Sequence, residues 1–290
     1  MDFASLQVFK AVVDEGGITQ AARKLHRVQS NVTTRIQQLE ASLGAQLFVR
    51  RKRRLHLSPA GELFLGYVEE MLRISELART AVSGDAPQGV LRIGSLESTV
   101  ASRLPALLSR YHELFPRVRL ELTTGTNDAL TEAVISRKLE AAFVAECADS
   151  SQLEVLGAFK ENLTVIAART HARIRRPRDV RGDTVIAFPT GCAYRRRLQS
   201  WLAVDGVTPE RTLELASYHA IVSCVAAGTG IAFVPRSVLE TFRGIAQIAT
   251  YDLPAGVAKI TTPLIWRKGE SSLALGALRS LVAETAKQRT

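Results

Sequence analysis

Within its first sixty or so residues the chain carries three segments with helical apolar spacing, punctuated by glycine, and then two alternating apolar stretches around five consecutive cations. So short a region can bury those apolar positions only if the three helices pack on one another and the strands close as a hairpin beside them. Asp2 is placed to cap a helix with Phe3, Leu6, Phe9, Val12 and Val13 on one side, ended by Gly16-Gly17. Thr19 is placed to cap a second, from Gln20 to Leu25, which is rich in alanine at Ala21 and Ala22. A turn around His26-Arg27-Val28 leads to a third helix, from Gln29-Ser30 to Leu43, which Gly44 stops.

The third helix carries the chemical information. Val32, Ile36, Leu39 and Leu43 are spaced four, three and four apart and form one buried stripe. At about 100° per residue, Ser30, Thr34 and Gln37 point away from that stripe, flanked by Asn31 and Thr33. Together with Gln29, these are short uncharged hydrogen-bonding groups with no carboxylate until Glu40. Such groups can approach a major-groove floor, where Asn and Gln pair with adenine and Ser or Thr touch several bases. An ordinary solvated helix mixes Glu with Lys instead.

After Gly44 come Leu47-Phe48-Val49, the run Arg50-Arg51-Lys52-Arg53-Arg54, and Leu55-His56-Leu57. Alternation on both sides of a basic tip predicts a β-hairpin wing. Cations so crowded gain Coulomb energy only from an external polyanion, which assigns Arg50, Arg51 and Arg53 to phosphates or a minor groove. The whole chain is +10, and residues 1–58 hold ten basic against four acidic residues, a net +6. More than half the excess therefore sits in a fifth of the chain, where a nucleic-acid face would need it.

The run Ile18-Thr19-Gln20-Ala21-Ala22-Arg23-Lys24-Leu25-His26, followed by Gln29, Val32, Ile36, Gln38-Leu39-Glu40, Leu43-Gly44 and Leu47-Phe48 and closed by Leu57-Ser58-Pro59-Ala60-Gly61, resembles the signature of the LysR-type regulators. The resemblance covers essentially the whole chain. It implies a winged helix-turn-helix over 1–58 (helix-turn-helix about 18–37), a linker helix over 59–86 and an α/β effector-binding domain over 90–290. That domain would have two subdomains, like a periplasmic binding protein. The resemblance also implies a homodimer, assembled further into a homotetramer, on a roughly palindromic stretch of double-stranded DNA. Family members often carry Pro, Ala and Arg or Lys where this chain has Ser30, Asn31 and Thr34, so no operator sequence carries over. Gly94, Gly125, Gly228 and Gly230, with the segments 94–99, 192–196 and Ser217-Tyr218-His219, resemble the subgroup of the enterobacterial putrescine-utilisation regulator.

From Pro59 to Asp85 there is no further proline, and Phe64, Tyr67 or Val68, Met71, Ile74 or Ser75, Ala78 and Val82 recur at three- and four-residue steps. A helix of about 26 residues spans roughly 39 Å, and a symmetric partner is the simplest cover for its stripe. Gly84-Asp85-Ala86-Pro87-Gln88-Gly89 reads as a hinge.

From Val90 strands and helices alternate: strands at 91–94, 118–122, 141–145, 163–168, 185–188, 231–234 and 263–266, with helices at 100–115, 127–137 (capped by Asn127), 194–204, 219–227 and 271–286. The pattern divides into subdomain I, about 90–162 and 265–290, and subdomain II, about 163–264. Ligands of such βα folds bind beyond the strand C-termini. That places Glu97, Ser98, Thr99, Thr124, Thr126, Glu146, Cys192, Tyr218 and His219 as candidate effector-binding residues. In the resembled family such hydroxyls hold effector carboxylates, whereas Glu97 and Glu146 suit an ammonium. The expected effector is therefore an amine or polyamine catabolite, or a small carboxylate.

No P-loop, dinucleotide fingerprint, zincin or nucleophile-elbow motif occurs, so catalysis, a cofactor and a metal are not expected. Cys147, Cys192 and Cys224 are far apart and read as small buried hydrophobes, with a redox-sensing regulator as the alternative. No apolar run approaches 18 residues and no leader pattern opens the chain, so no membrane is expected and the cytoplasm is the expected compartment.

Overall fold

The computed structural model describes residues 1–51, 54–83, 86–147, 151–242, 246–270 and 272–288, with backbone alone at 50, 51, 54, 73, 76, 77, 80–83, 287 and 288. It divides into two compact units, Met1–Asp85 and Ala86–Thr290. The hinge residues Gly84 and Asp85 lie outside the described residues.

The first unit holds α1 (Phe3–Asp14), α2 (Ile18–Lys24), α3 (Gln29–Leu43), β1 (Phe48–Arg51), β2 (Arg54–Leu57) and α4 (Pro59–Ser83). Most of the expected stripe meets in one core of Leu6, Phe9, Val12, Ala21, Ala22, Val32, Ile36 and Leu39; Phe3 and Leu43, expected with them, are 52% and 38% exposed because each sits at the end of its helix. Leu47 and Val68 join them from the wing and α4. The Phe9 ring packs 5.3 Å from both Phe48 and Phe64, locking α1 to the wing and to α4. Asp2 caps α1 by accepting from Ser5 N at 2.7 Å. Thr19 does not cap α2: that helix starts at Ile18, two residues before the expected Gln20, with Gly17 at its N-cap and no side-chain bond.

The second unit contains β3 (Gly89–Ser95), α5 (Glu97–Ser102), α6 (Leu104–Leu114), β4 (Val118–Thr124), α7 (Asn127–Ile135), β5 (Ala141–Phe143) and β6 (Leu153–Ala168). It continues with β7 (Thr184–Ala187), α8 (Ala193–Val204), β8 (Arg211–Glu214), α9 (Tyr218–Ala226), β9 (Ala232–Pro235), α10 (Arg236–Leu239), β10 (Ile248–Asp252), α11 (Ala255–Ala258), β11 (Lys259–Arg267) and α12 (Leu273–Gln288). Strands β3, β4 and β5 are parallel, and so are β7 and β8. The long β6 joins the two halves, pairing with β11 through Asn162 and with β9 and β10 beyond it. The return strand pairs with the first half from Lys259 on, six residues before the expected 265.

Two local expectations give way to tertiary demands. The helix read over 100–115 is two helices meeting at Arg103, because Pro105 has no N–H for the carbonyl of Ala101 and opens a new helix instead. The helix after β4 is capped by Thr126, whose hydroxyl accepts from Ala129 N at 3.4 Å, and not by Asn127. Buried Asn127 clamps the chain beyond β5: its Nδ2 donates to Glu146 O at 2.8 Å, and its Oδ1 accepts from Ala145 N and Glu146 N at 3.0 Å. Among the described residues no helix is long and apolar enough to cross a membrane.

Candidate functional site

In the first unit the informative surface is the N-terminal half of α3. The turn before it closes with His26 in the left-handed region at φ 52°, His26 N donating to Arg23 O and Arg27 N to Ala22 O. This sharp stop of α2 sets the entry into α3. Gln29, Ser30, Asn31, Thr34 and Gln37 are all exposed. Ser30, Asn31, Thr34 and Gln37 make no side-chain hydrogen bond to another described residue. Thr33 is half-buried, and its hydroxyl is already used on Gln29 O at 3.0 Å. The face also includes a residue that periodicity missed: Val28, at the N-cap, is 70% exposed. An exposed β-branched residue in a tight turn was the available signal, and such a group can contact a thymine methyl.

The nearest carboxylate on α3 is turned inward. Glu40 Oε1 accepts from Leu47 N at 2.7 Å and Phe48 N at 3.1 Å, so Glu40 fastens the start of the wing and leaves the outward face uncharged. The wing pairs Phe48 with Leu57 and Arg51 with Arg54 in antiparallel register. Arg50 and Arg51 therefore sit on its first strand, whereas Lys52 and Arg53 lie outside the described residues. Ser58 ends the wing and caps α4 at once, donating to Gln46 O at 2.5 Å and accepting from Gly61 N at 3.0 Å. Gly61 is needed there because a Cβ would lie 2.1 Å from Leu47 O. Along α4, Leu63, Tyr67 and Ile74 are more than half exposed, four and seven residues apart on a helix.

In the second unit a cavity of about 170 Å³ lies beyond the strand C-termini. The stretch after β3 contributes Leu96, Glu97 and Ser98, the end of β4 contributes Thr124 to Thr126, and the starts of α8 and α9 contribute Cys192 to Tyr194 and Tyr218. Of the nine candidate effector residues, Glu97, Ser98, Thr124, Thr126, Cys192 and Tyr218 share this lining. Thr99 is buried outside it. His219 stacks its ring 4.6 Å from Phe242, and Glu146 faces arginines.

Burial governs the chemistry of the lining. It pushes the Cys192 thiol up, against the first amide groups of α8 and the charges of Arg195 and Arg196. All three cysteines are free. Burial likewise raises the Tyr194 and Tyr218 hydroxyls well above their ordinary range. Glu97 is the one ionisable carboxyl of the lining. Its Oε1 accepts a long 3.5 Å bond from Tyr218 N, its Oε2 is buried without a partner among the described residues, and desolvation raises its pKa.

Beside the cavity three consecutive arginines of α8 are all occupied. Arg195 pairs with Glu214 and also donates to Phe188 O. Arg196 reaches both oxygens of Asp128 at 3.1 Å and Glu146 at 3.3 Å, and Arg197 reaches Glu146 at 2.9 Å. These contacts join α7 and the end of β5 to α8 across the cleft between the two halves. A second tie is more deeply buried: Arg103 clasps Glu161 through Nε at 2.6 Å and Nη2 at 3.3 Å, and Ser237 donates to Glu161 at 2.6 Å.

Comparison with known proteins agrees with both halves. Residues 3–62 match the family described as bacterial regulatory helix-turn-helix protein, lysR family, and residues 84–287 match the LysR substrate binding domain. The chain is 38% identical to the HTH-type transcriptional regulator YusT of Bacillus subtilis, over 97% of this chain and 94% of that one. It is 36% identical to the HTH-type transcriptional regulator GltR of the same organism, over 92% and 91%. Full-length CbnR, solved in complex with its target DNA, shares the fold with a TM-score of 0.70 at 24% identity, covering 98% of this chain and all of that one. The chain belongs to the LysR family of transcriptional regulators.

Proposed function

We propose that this regulator reads promoter DNA with the exposed end of α3 and the basic wing, as a symmetric dimer paired along α4, and that a small molecule in the cavity beyond the strand ends adjusts that binding. The carrying observation is the α3 face: Gln29, Ser30, Asn31, Thr34 and Gln37 stand exposed, while Glu40 is bonded away from them. Polar groups with no partner among the described residues, beside a wing read as cationic, suit base edges and phosphates. Thr33 has a supporting role, and Arg50, Arg51 and Arg53 supply backbone contacts. Leu63, Tyr67 and Ile74 form an apolar row that a second α4 would cover, giving two half-sites and a roughly palindromic operator. Two such dimers would make the homotetramer, acting in the cytoplasm where the DNA lies.

The effector would act through the cleft. A ligand that favours one relative placement of the two halves shifts the spacing of the DNA contacts, by no more than its differential affinity for the two arrangements. Burial of Cys192 disfavours a redox reading through that residue. We do not carry over the putrescine-utilisation likeness as a diamine effector: Glu146, the second acid such a ligand would need, is engaged by Arg196 and Arg197. Mapping the protein's occupancy across its genome tests the reading. Discrete peaks sharing an inverted repeat are expected, lost in a Ser30→Glu variant; uniform occupancy contradicts it.

A further inference from the structure

Resting on the cavity as the effector site, we infer that the effector is a small monoamine, its single ammonium seated on Glu97 Oε2 and its body filling the apolar part of the cavity. Three observations lead there. Glu97 is the only charged residue in the lining, and no Arg, Lys or His shares it. The nearby arginines cannot serve a ligand anion without first breaking bonds, since Arg195, Arg196 and Arg197 are each held by acids and backbone carbonyls, and the exposed His219, outside the lining, acts on Glu97 itself. Finally, Oε2 is buried with nothing bonded to it among the described residues, while Oε1 is held by Tyr218 N. A buried unpaired acceptor is costly until a donor arrives, and an ammonium is the strongest small donor for a carboxylate.

The remaining lining sets the ligand's size and its charge. Leu96, Ala145, Phe188, Pro189 and Ala193 are apolar, with the buried tyrosine rings beside them. A volume of about 170 Å³ is close to the ~150 Å³ that holds one benzene in an engineered cavity. One carboxylate serves one ammonium. A diamine would leave its second charge among neutral groups, the apolar walls and the hydroxyls of Ser98, Thr124 and Thr126, with no second carboxylate to meet it. The rival arrangement is a protonated Glu97 donating from Oε2 to a ligand carboxylate or carbonyl, and matched acids separate the two.

The experiment is thermal-shift and calorimetric titration of the full-length protein with n-butylamine, benzylamine, 1-butanol, butyrate, benzoate and 1,4-diaminobutane. Each is taken to about 10 mM, where a ligand worth roughly 3 kcal/mol approaches half-saturation. The monoamines are expected to bind, with 1-butanol and the diamine at least about tenfold weaker. Glu97→Gln should weaken monoamine binding by about tenfold or more, the loss expected for a charge-assisted bond. Ala216→Phe, which fills the cavity from an exposed position, should abolish it. Binding of butyrate or benzoate that Ala216→Phe removes would keep the cavity as the effector site and overturn the monoamine. Monoamine binding indifferent to both variants would overturn the cavity as well. Silence from every probe, or alcohol and amine binding alike, overturns the monoamine inference.

Discussion

Helices α3 and α8 both begin without a side-chain cap, and both display polar groups, but those groups have opposite fates. On α3 the outward residues Ser30, Asn31, Thr34 and Gln37 stand without described side-chain partners, while the adjacent acid, Glu40, is bonded to the wing. On α8 three successive arginines, as basic a run as many DNA-binding segments show, are all consumed by Glu214, Asp128 and Glu146. A positive run in a sequence is therefore no evidence of a polyanion partner by itself; what matters is whether the chain provides the counter-charges. The comparison implies that substitutions on α3 change binding and spare stability, whereas substitutions among the paired groups of the second unit do the reverse.

The largest effect tests the second half of that contrast. Arg103→Ala leaves Glu161, which is 7% exposed, with an uncompensated buried charge, and should destabilise the second unit by about 3 kcal/mol or more in urea unfolding. Ser30→Glu should weaken specific promoter binding by about 100-fold, near 3 kcal/mol, by setting a carboxylate against the groove. Its melting temperature should match the parent's; a drop of several degrees would mean the α3 face is structural. Arg196→Ala should cost under about 1 kcal/mol, because its partner Asp128 is 61% exposed and such pairs are screened. A loss as large as that of Arg103→Ala would show the cleft-mouth tie to be as strong as the buried one.

The smallest effect is a gain. Burial raises the Glu97 carboxyl above its ordinary value of 4.5, so the folded chain holds that proton more tightly than the unfolded one. Stability from this group is therefore full below the unfolded value and falls as pH rises through the interval up to the raised one. Glu97→Gln never ionises and escapes that loss. Its melting temperature should exceed the parent's at pH 7, with the difference fading below about pH 4. A variant less stable than the parent at pH 7 would mean that the Tyr218 N–H bond and the His219 charge favour ionised Glu97 by more than burial disfavours it.

The first unit was the more legible in sequence. Its apolar stripes have one period and one partner surface, so Val32, Ile36 and Leu39 could be read as core from spacing alone. Even there, Val28 escaped notice because exposure in a turn leaves no periodic trace. In the second unit the antiparallel pairing of β6 with β9, β10 and β11 was not legible, and only the cavity's address beyond the strand ends followed from βα alternation. The ion pairs did not: Glu146 looked free in sequence because its partners on α8 lie fifty residues away. Asn127 looked like a cap because its clamp on Ala145 and Glu146 is a tertiary bond. The split at Arg103 was foreshadowed by Pro105, whose missing donor outweighs an otherwise continuous apolar pattern.

The most direct test is a titration of one occupied promoter fragment against random duplex competitor at several salt concentrations. If α3 and the wing neutralise about six phosphates per half-site, the affinity for the promoter should fall with a log–log slope near −5 per half-site. The preference over competitor should persist across the series, because base contacts on α3 carry it. A slope near zero, or a promoter bound no better than random sequence at moderate salt, would contradict the assignment of this surface to DNA.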